Sequence, residues 1–193
     1  MSDDNKNLIV VKAVLIGDSG VGKTSMIKQF THNIFDTSIQ PSISSQFAAK
    51  EVNITDIKKT IKFDLWDTAG QELYRSLAKI FYKDAGIIIF VYDITSKLSF
   101  ESLQKYWYLQ VSSNSLPNAI FALVGNKNDL YKDAEVDEKE AINWADKIGA
   151  IFTTTSAKTN IGIDSLFDTV GKKYLNPNYN YKIEENEKKS NMK

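Results

Sequence analysis

Gly17-Asp18-Ser19-Gly20-Val21-Gly22-Lys23-Thr24 decides how this chain is read. The run has the form G-x-x-x-x-G-K-T, a phosphate-binding loop. An apolar stretch, Leu8–Ile16, leads into it, and a helical pattern (Thr24, Met26, Ile27, Phe30) leaves it. That order of strand, loop and helix is the context the motif requires. The glycines let the backbone turn tightly and approach a ligand closely. Successive N–H groups then point into one concavity, reinforced by the positive end of the new helix. The loop from Ser19 through Gly20, Val21, Gly22 and Lys23 to Thr24 and Ser25 is expected to lie along phosphates. Lys23 reaches the β- and γ-phosphates as a point charge, and the Thr24 hydroxyl ligates Mg²⁺.

Composition narrows the setting. The 193 residues suit one domain, with 42% hydrophobic and 25% charged residues and a formal net charge of zero. Such a balance gives no strong field toward nucleic acid or membrane. There is no cysteine, which excludes disulfides, zinc–thiolate sites and cysteine nucleophiles. Arg75 is the only arginine and His32 the only histidine. His32, just past the first helix, reads as a helix-end contact or a solvated residue. No apolar run is long enough to span a bilayer, and the first residues are no signal peptide, so the expected setting is the cytosol.

Strand and helix patterns alternate along the chain. Strands are expected at Leu8–Ile16, Phe47–Ile54, Thr60–Trp66, Ile87–Tyr92, Ile120–Val124 and Ile151–Thr154. Helices are expected at Lys23–Phe30, Phe100–Val111, Asp137–Ile148 and Ile163–Tyr174, with a loop and short helix in Gly70–Tyr82. In the third strand Ile61, Phe63 and Leu65 share one face. A hairpin connection at Asp56–Lys59 would make one edge strand antiparallel. The expectation is an α/β fold of the P-loop NTPase type. It has a six-stranded, mostly parallel sheet, one antiparallel edge strand, and five helices on both faces. Residues 1–174 form the domain. Residues 175–193, rich in Asn, Lys and Glu, are expected to be a disordered tail.

Ligands of such sheets sit at the carboxyl ends of the strands, and four further segments fall there. Asp67 closes a strand, where a carboxylate can hold Mg²⁺. After it Gly70 offers an N–H to a γ-phosphate, and Gln71 can orient an attacking water. Asn126-Lys127-Asn128-Asp129 follows the fifth strand. Asp129 can accept from the N1–H and exocyclic amine of guanine, a donor pair that adenine lacks, so adenine would leave a buried charge unpaired. Asn126 ties this loop to the phosphate loop, and Lys127 lies along the base. Ser156-Ala157-Lys158 follows the sixth strand, where the Ala157 N–H can meet the guanine carbonyl. In the loop after the first helix, Ser42 can ligate Mg²⁺ and Phe35 can pack on the base.

Taken together, G-x-x-x-x-G-K-T, W-D-T-A-G-Q-E, N-K-x-D and S-A-K resemble the Ras-superfamily small GTPases over roughly residues 8 to 174. Ile43-Ser44-Ser45-Gln46-Phe47, Trp66, Phe81-Tyr82-Lys83-Asp84-Ala85 and Val91-Tyr92-Asp93-Ile94-Thr95 are similar to the Rab branch. Asn118–Leu123 before Gly125-Asn126-Lys127 looks like the endosomal Rab5-type group. The resemblance implies Mg²⁺-dependent binding of GTP and GDP, slow GTP hydrolysis, and control of vesicle traffic on the cytosolic face of endomembranes. It implies exchange factors, activating proteins and effectors as partners, the effectors reading Ile43, Phe47, Trp66 and Phe81. Catalysis would rest on Gln71 and Lys23, with metal ligands Thr24, Ser42 and Asp67. The alternatives are a pseudo-GTPase scaffold, or a Ras-superfamily GTPase outside membrane traffic.

Departures from the family pattern are specific. Ser42 stands where threonine is usual, Ile39 where many relatives carry an aromatic lid, and Leu73 where arginine follows Gln-Glu. The first switch is therefore expected to be more mobile. Rabs carry C-terminal cysteines for prenylation; this sequence has none, and Met1-Ser2 does not permit myristoylation. The expectation is a longer natural C-terminus, or membrane attachment through a partner.

Overall fold

The computed structural model describes residues 8–36, 46–68, 82–113 and 115–181. Six strands form one sheet: β1 (Leu8–Ile16), β2 (Gln46–Ile54), β3 (Lys59–Asp67), β4 (Ile87–Asp93), β5 (Ile120–Asn126) and β6 (Ile151–Thr154). The order across it is β2-β3-β1-β4-β5-β6. Every pairing is parallel except β2 with β3, so the expected antiparallel strand lies at the edge. A short 3₁₀ turn, Thr55–Ile57, and a left-handed Lys58 close that hairpin. β4 is buried at every position because helices cover both of its faces.

Five α-helical stretches are described: α1 (Lys23–His32), α2 (Lys97–Ser102), α3 (Tyr108–Ser112), α4 (Glu138–Ile148) and α5 (Ile163–Leu175). The single helix expected over Phe100–Val111 starts earlier, at Lys97. Ser96 caps it by accepting the Ser99 N–H. It then passes through a π-helical stretch, Leu103–Trp107, between α2 and α3. Nothing in the apolar periodicity signals that extra residue per turn. The expected short helix within Gly70–Tyr82 lies outside the described residues except for Tyr82, which is buried. α4 shows why its ends fall where they do. The Asp137 carboxylate accepts the Lys139 and Glu140 N–H groups, and Gly149 ends the helix at φ 68°.

The sheet divides the core in two. On one face α1 and α5 pack over β1 and β3 through three rings. Phe30 stacks on Phe167 at 3.7 Å, and Phe63 meets both edge-on at 6.0 and 5.5 Å. Ile61, Phe63 and Leu65 all point into this layer, as their alternation requires. On the other face Phe90, Phe100, Leu103, Trp107, Ala141 and Ala145 form the second layer. Order continues past 174: Lys173 donates to the carbonyls of Pro177 and Tyr179, and the Tyr181 ring packs on the first layer. The described residues thus run to 181, where the Tyr181 ring supplies an apolar contact that the polar composition around it conceals. Residues 182–193 of the expected tail lie outside the described residues.

Replacing the fully buried Phe167 by alanine removes the ring shared by α1, β3 and α5. The expected cost is about 3–5 kcal/mol of unfolding free energy, read from the shift of a chemical-denaturation midpoint. A shift equivalent to less than ~1 kcal/mol would contradict this packing.

Candidate nucleotide site

β1, β3, β4, β5 and β6 run parallel, so their carboxyl ends share one rim of the sheet. The phosphate loop leaves β1 at this rim, and its shape follows from glycine. A Cβ on Gly17 would sit 2.1 Å from the Val91 carbonyl oxygen of β4. Gly22 has φ 99°, and a Cβ there would lie 2.3 Å from Asn126 Nδ2. Only a residue without a side chain lets β4 and the Asn126 amide come so close. Gly22 is also the N-cap of α1 with no side-chain cap bond, and the first turn carries no acidic residue. The first N–H groups of α1 are therefore available to an anionic ligand.

Lys23 is almost fully buried, and its ammonium donates to the carbonyls of Gly17 at 2.7 Å and Asp18 at 2.8 Å. Burial lowers its pKa to about 8, an effect that the charges of Asp67 and Asp18 only partly oppose. Asp67, at the end of β3, is buried as well, and Thr24 Oγ1 donates to its Oδ2 at 2.5 Å. A hydroxyl and a carboxylate at the foot of a phosphate loop are hard oxygen donors of the kind Mg²⁺ takes. Among the described residues no group of three or more His, Asp or Glu could hold a metal. An ion held by Thr24 and Asp67 would therefore need further ligands from phosphate, from water or from chain outside the described residues, such as Ser42.

Asn126 staples three loops together. Its Nδ2 donates to the Val21 carbonyl at 2.8 Å, while its Oδ1 accepts from Thr155 Oγ1 at 3.1 Å and from the Ala157 N–H at 3.3 Å. The Asp129 carboxylate is fixed by Ser156 Oγ at 2.6 Å, with the Lys158 ammonium 3.9 Å away. A cleft of about 240 Å³ opens between these loops, lined by Gly20, Gly22, Ser25, Phe35, Asn126, Lys127, Asp129, Leu130, Ala157 and Lys158. Five loops that are far apart in sequence thus meet at one rim.

The described candidates fall together: Gly20 to Ser25 and Phe35, with Asp67, Asn126, Lys127, Asp129, Ser156, Ala157 and Lys158. Ile39, Ser42, Ile43, Gly70, Gln71, Leu73, Arg75 and Phe81 lie outside the described residues. Phe47 is 56% exposed and meets the half-buried Trp66 edge-on at 5.3 Å, so these two rings are surface on β2 and β3. His32 ends α1, exposed, beside the Thr31 hydroxyl.

Sequence reasoning missed Asp93. It ends β4, and its carboxylate pairs with the Lys127 ammonium at 2.6 Å while also accepting from the Thr95 N–H and hydroxyl. A signal existed: an acidic residue closing a wholly apolar strand is the same cue that singles out Asp67. Leu130, which lines the cleft, was missed too, and nothing in its residue type marks it.

The Ras family profile matches residues 12–176. The chain is 41% identical to human Ras-related protein Rab-22A over 163 residues, 84% of this chain and 82% of that protein. It is 39% identical to Ras-related protein Rab-5A of Dictyostelium discoideum over 171 residues, 89% and 84% of the two chains. It is 39% identical to Ras-related protein Rab5A of Oryza sativa subsp. japonica over 164 residues, 85% and 79%. The chain belongs to the Ras family. It is a Rab-like small GTPase of the Rab5-like group, a GTP-hydrolysing switch of vesicle traffic.

The buried Lys23 gives a pH dependence whose sign can be worked out. Its charged form is disfavoured in the folded protein, so without a phosphate partner the penalty is full below pH 8. Stability rises as pH climbs from about 8 toward the ordinary lysine value of 10.5. A bound phosphate restores the charge. GDP affinity should therefore fall above pH 8, by up to about tenfold per unit. Calorimetric titration in buffers of different ionisation heat should show proton uptake on binding at pH 8.5. No proton uptake would contradict the burial of this ammonium.

Proposed function

We propose that this Rab-like GTPase binds GTP and GDP with Mg²⁺ at the rim cleft, guanine at one end and phosphates at the other. The observation that carries this reading is Asn126, whose one amide bonds the phosphate loop and the Ala157 loop at once. In this reading guanine enters beside Phe35, along the Lys127 stem, with its N1–H and amine on Asp129 and its carbonyl oxygen toward the Ala157 N–H. The Ser156 bond and the Asp93–Lys127 pair hold two of those groups in place.

Hydrolysis would proceed by in-line attack of water on the γ-phosphate. Gln71 orients the water, the Gly70 N–H bonds the γ-phosphate, and Lys23 offsets charge as it develops. Thr24, Asp67 and Ser42 would hold Mg²⁺, which when bound would neutralise phosphate charge. The sole arginine, Arg75, lies outside the first switch, so an activating protein would supply the missing cation, worth about 10³- to 10⁵-fold. Lys23, Thr24 and Asp67 sit together as hydrolysis needs, which favours an active enzyme over a scaffold.

Exchange factors, activating proteins and effectors are the expected partners. Phe47 and Trp66, with Ile43 and Phe81, form the proposed effector surface. The endosomal membrane's cytosolic face is the proposed location. Among the described residues no helix is long and apolar enough to cross a membrane.

Two outcomes test this. Gln71→Leu should keep GTP affinity within about twofold yet lower partner-stimulated hydrolysis at least tenfold by single-turnover phosphate release, in line with loss of a water-orienting group; unchanged turnover would remove Gln71 from catalysis. Inosine diphosphate lacks the exocyclic amine. The protein should bind GDP about tenfold or more tightly than IDP, as befits a hydrogen bond to a charged acceptor. Asp129→Ala should erase that preference, and a preference that survives in Asp129→Ala would place the amine elsewhere.

A further inference from the structure

Asp18 poses a problem for the site described above. It is an anionic side chain inside a loop built to hold anions, where like charges repel. The structure shows how that charge is held. Asp18 Oδ1 accepts from the indole Nε1–H of Trp107 at 2.8 Å and from the hydroxyl of Ser102 at 2.8 Å. Both donors belong to the helical segment on the second face of the sheet, more than eighty residues away in sequence. Trp107 is buried at 2% exposure, so its N–H has little access to water.

The two donors can share one oxygen because the helix between them is not α. Positions five apart on an α-helix diverge by about 140° around the axis. Between Ser102 and Trp107 the chain runs through the π-helical stretch Leu103–Trp107, and the Tyr108 N–H bonds the Leu103 carbonyl five residues back. That wider turn brings residues five apart onto one face, and π stretches of this kind occur frequently at functional sites. Asp18 is also held from the opposite side, since its own carbonyl accepts the Lys23 ammonium. One residue thus links the helix to the lysine at the bottom of the phosphate loop.

We propose that the π-helical stretch positions the phosphate loop, with Trp107 and Ser102 acting through the Asp18 carboxylate to lengthen the residence of bound nucleotide. This rests on the reading of the loop as the nucleotide's phosphate site. Trp107, Ser102 and Asp18 are positioning residues that touch the loop or belong to it, not groups that act on the reacting atoms. Freed from its two donors, the Asp18 carboxylate would turn into the loop's field and disturb the carbonyl that holds Lys23.

The test is a double-mutant cycle on the full chain, read as the rate of loss of a fluorescent GDP analogue chased with excess GDP. GDP binding by the unaltered protein is established first; its absence would sink the nucleotide reading itself rather than this inference. Trp107→Phe keeps the ring and deletes only the N–H donor. It should speed GDP release about tenfold, the size of a lost hydrogen bond to a charged acceptor. Asp18→Ala should speed release similarly, and Trp107→Phe added to Asp18→Ala should change the rate less than twofold, because the acceptor is already gone. Should Trp107→Phe fail to fold, Ser102→Ala takes its place in the same cycle, with an expected three- to tenfold effect in the Asp18 background and none without it. Additive effects in the cycle, or a release rate within twofold of the unaltered protein when the donor is removed, would overturn the proposal. A purely structural role for Trp107 would lower thermal stability equally in the presence and absence of the Asp18 carboxylate.

Discussion

A buried ammonium is the constraint on which the site depends. Lys23 has given up water for two backbone carbonyls, and an isolated cation in such a place is costly. The two carbonyls and the charges of Asp67 and Asp18 offset that cost only in part; a polyphosphate would complete the offset. The rest of the rim can be understood as what holds this arrangement ready. Gly17 lets the loop pass against β4, Gly22 makes room for Asn126, and Asn126 ties the loop to the segments after β5 and β6. Parallel strands make this possible, because every strand of the same direction delivers its loop to the same edge.

The carboxylates around the rim are held by partners of different kinds. Asp67 receives the Thr24 hydroxyl, Asp93 the Lys127 ammonium, Asp129 the Ser156 hydroxyl, and Asp18 an indole and a serine. Each is anchored at one oxygen or both, so each has a defined direction before any ligand arrives. Preorganisation of this kind lowers the ordering cost of binding. It also separates roles that a count of acidic residues would merge. Asp67 sits with a hydroxyl, as a shared divalent ion would need, whereas Asp129 lines the cleft with Phe35 and Leu130, where the proposed base would lie.

Much of this was legible in the residues because the signals were local and physical. Glycine spacing set the loop, apolar runs set the parallel strands, and alternation at Ile61, Phe63 and Leu65 set the buried face of β3. What escaped was non-local. Phe100–Val111 read as one plain helix, since a π-helical stretch leaves no trace in apolar period when both flanks bury similar residues. Asp93 was given no role, because its partner, Lys127, is distant in sequence. The chain beyond Tyr174 looked featureless since a single anchor, Tyr181, was outvoted by Asn and Lys.

The most direct measurement is an equilibrium titration of the nucleotide-stripped protein with GDP, GTP, ADP and ATP under identical Mg²⁺ and salt. If Asp129, Lys127, Ala157 and the phosphate loop grip one guanine nucleotide, GDP and GTP bind while the adenine nucleotides are at least a hundredfold weaker, as expected when a buried carboxylate is left unpaired. Equal affinity for ADP and GDP, or no binding of either, would contradict the convergence of these loops on guanine.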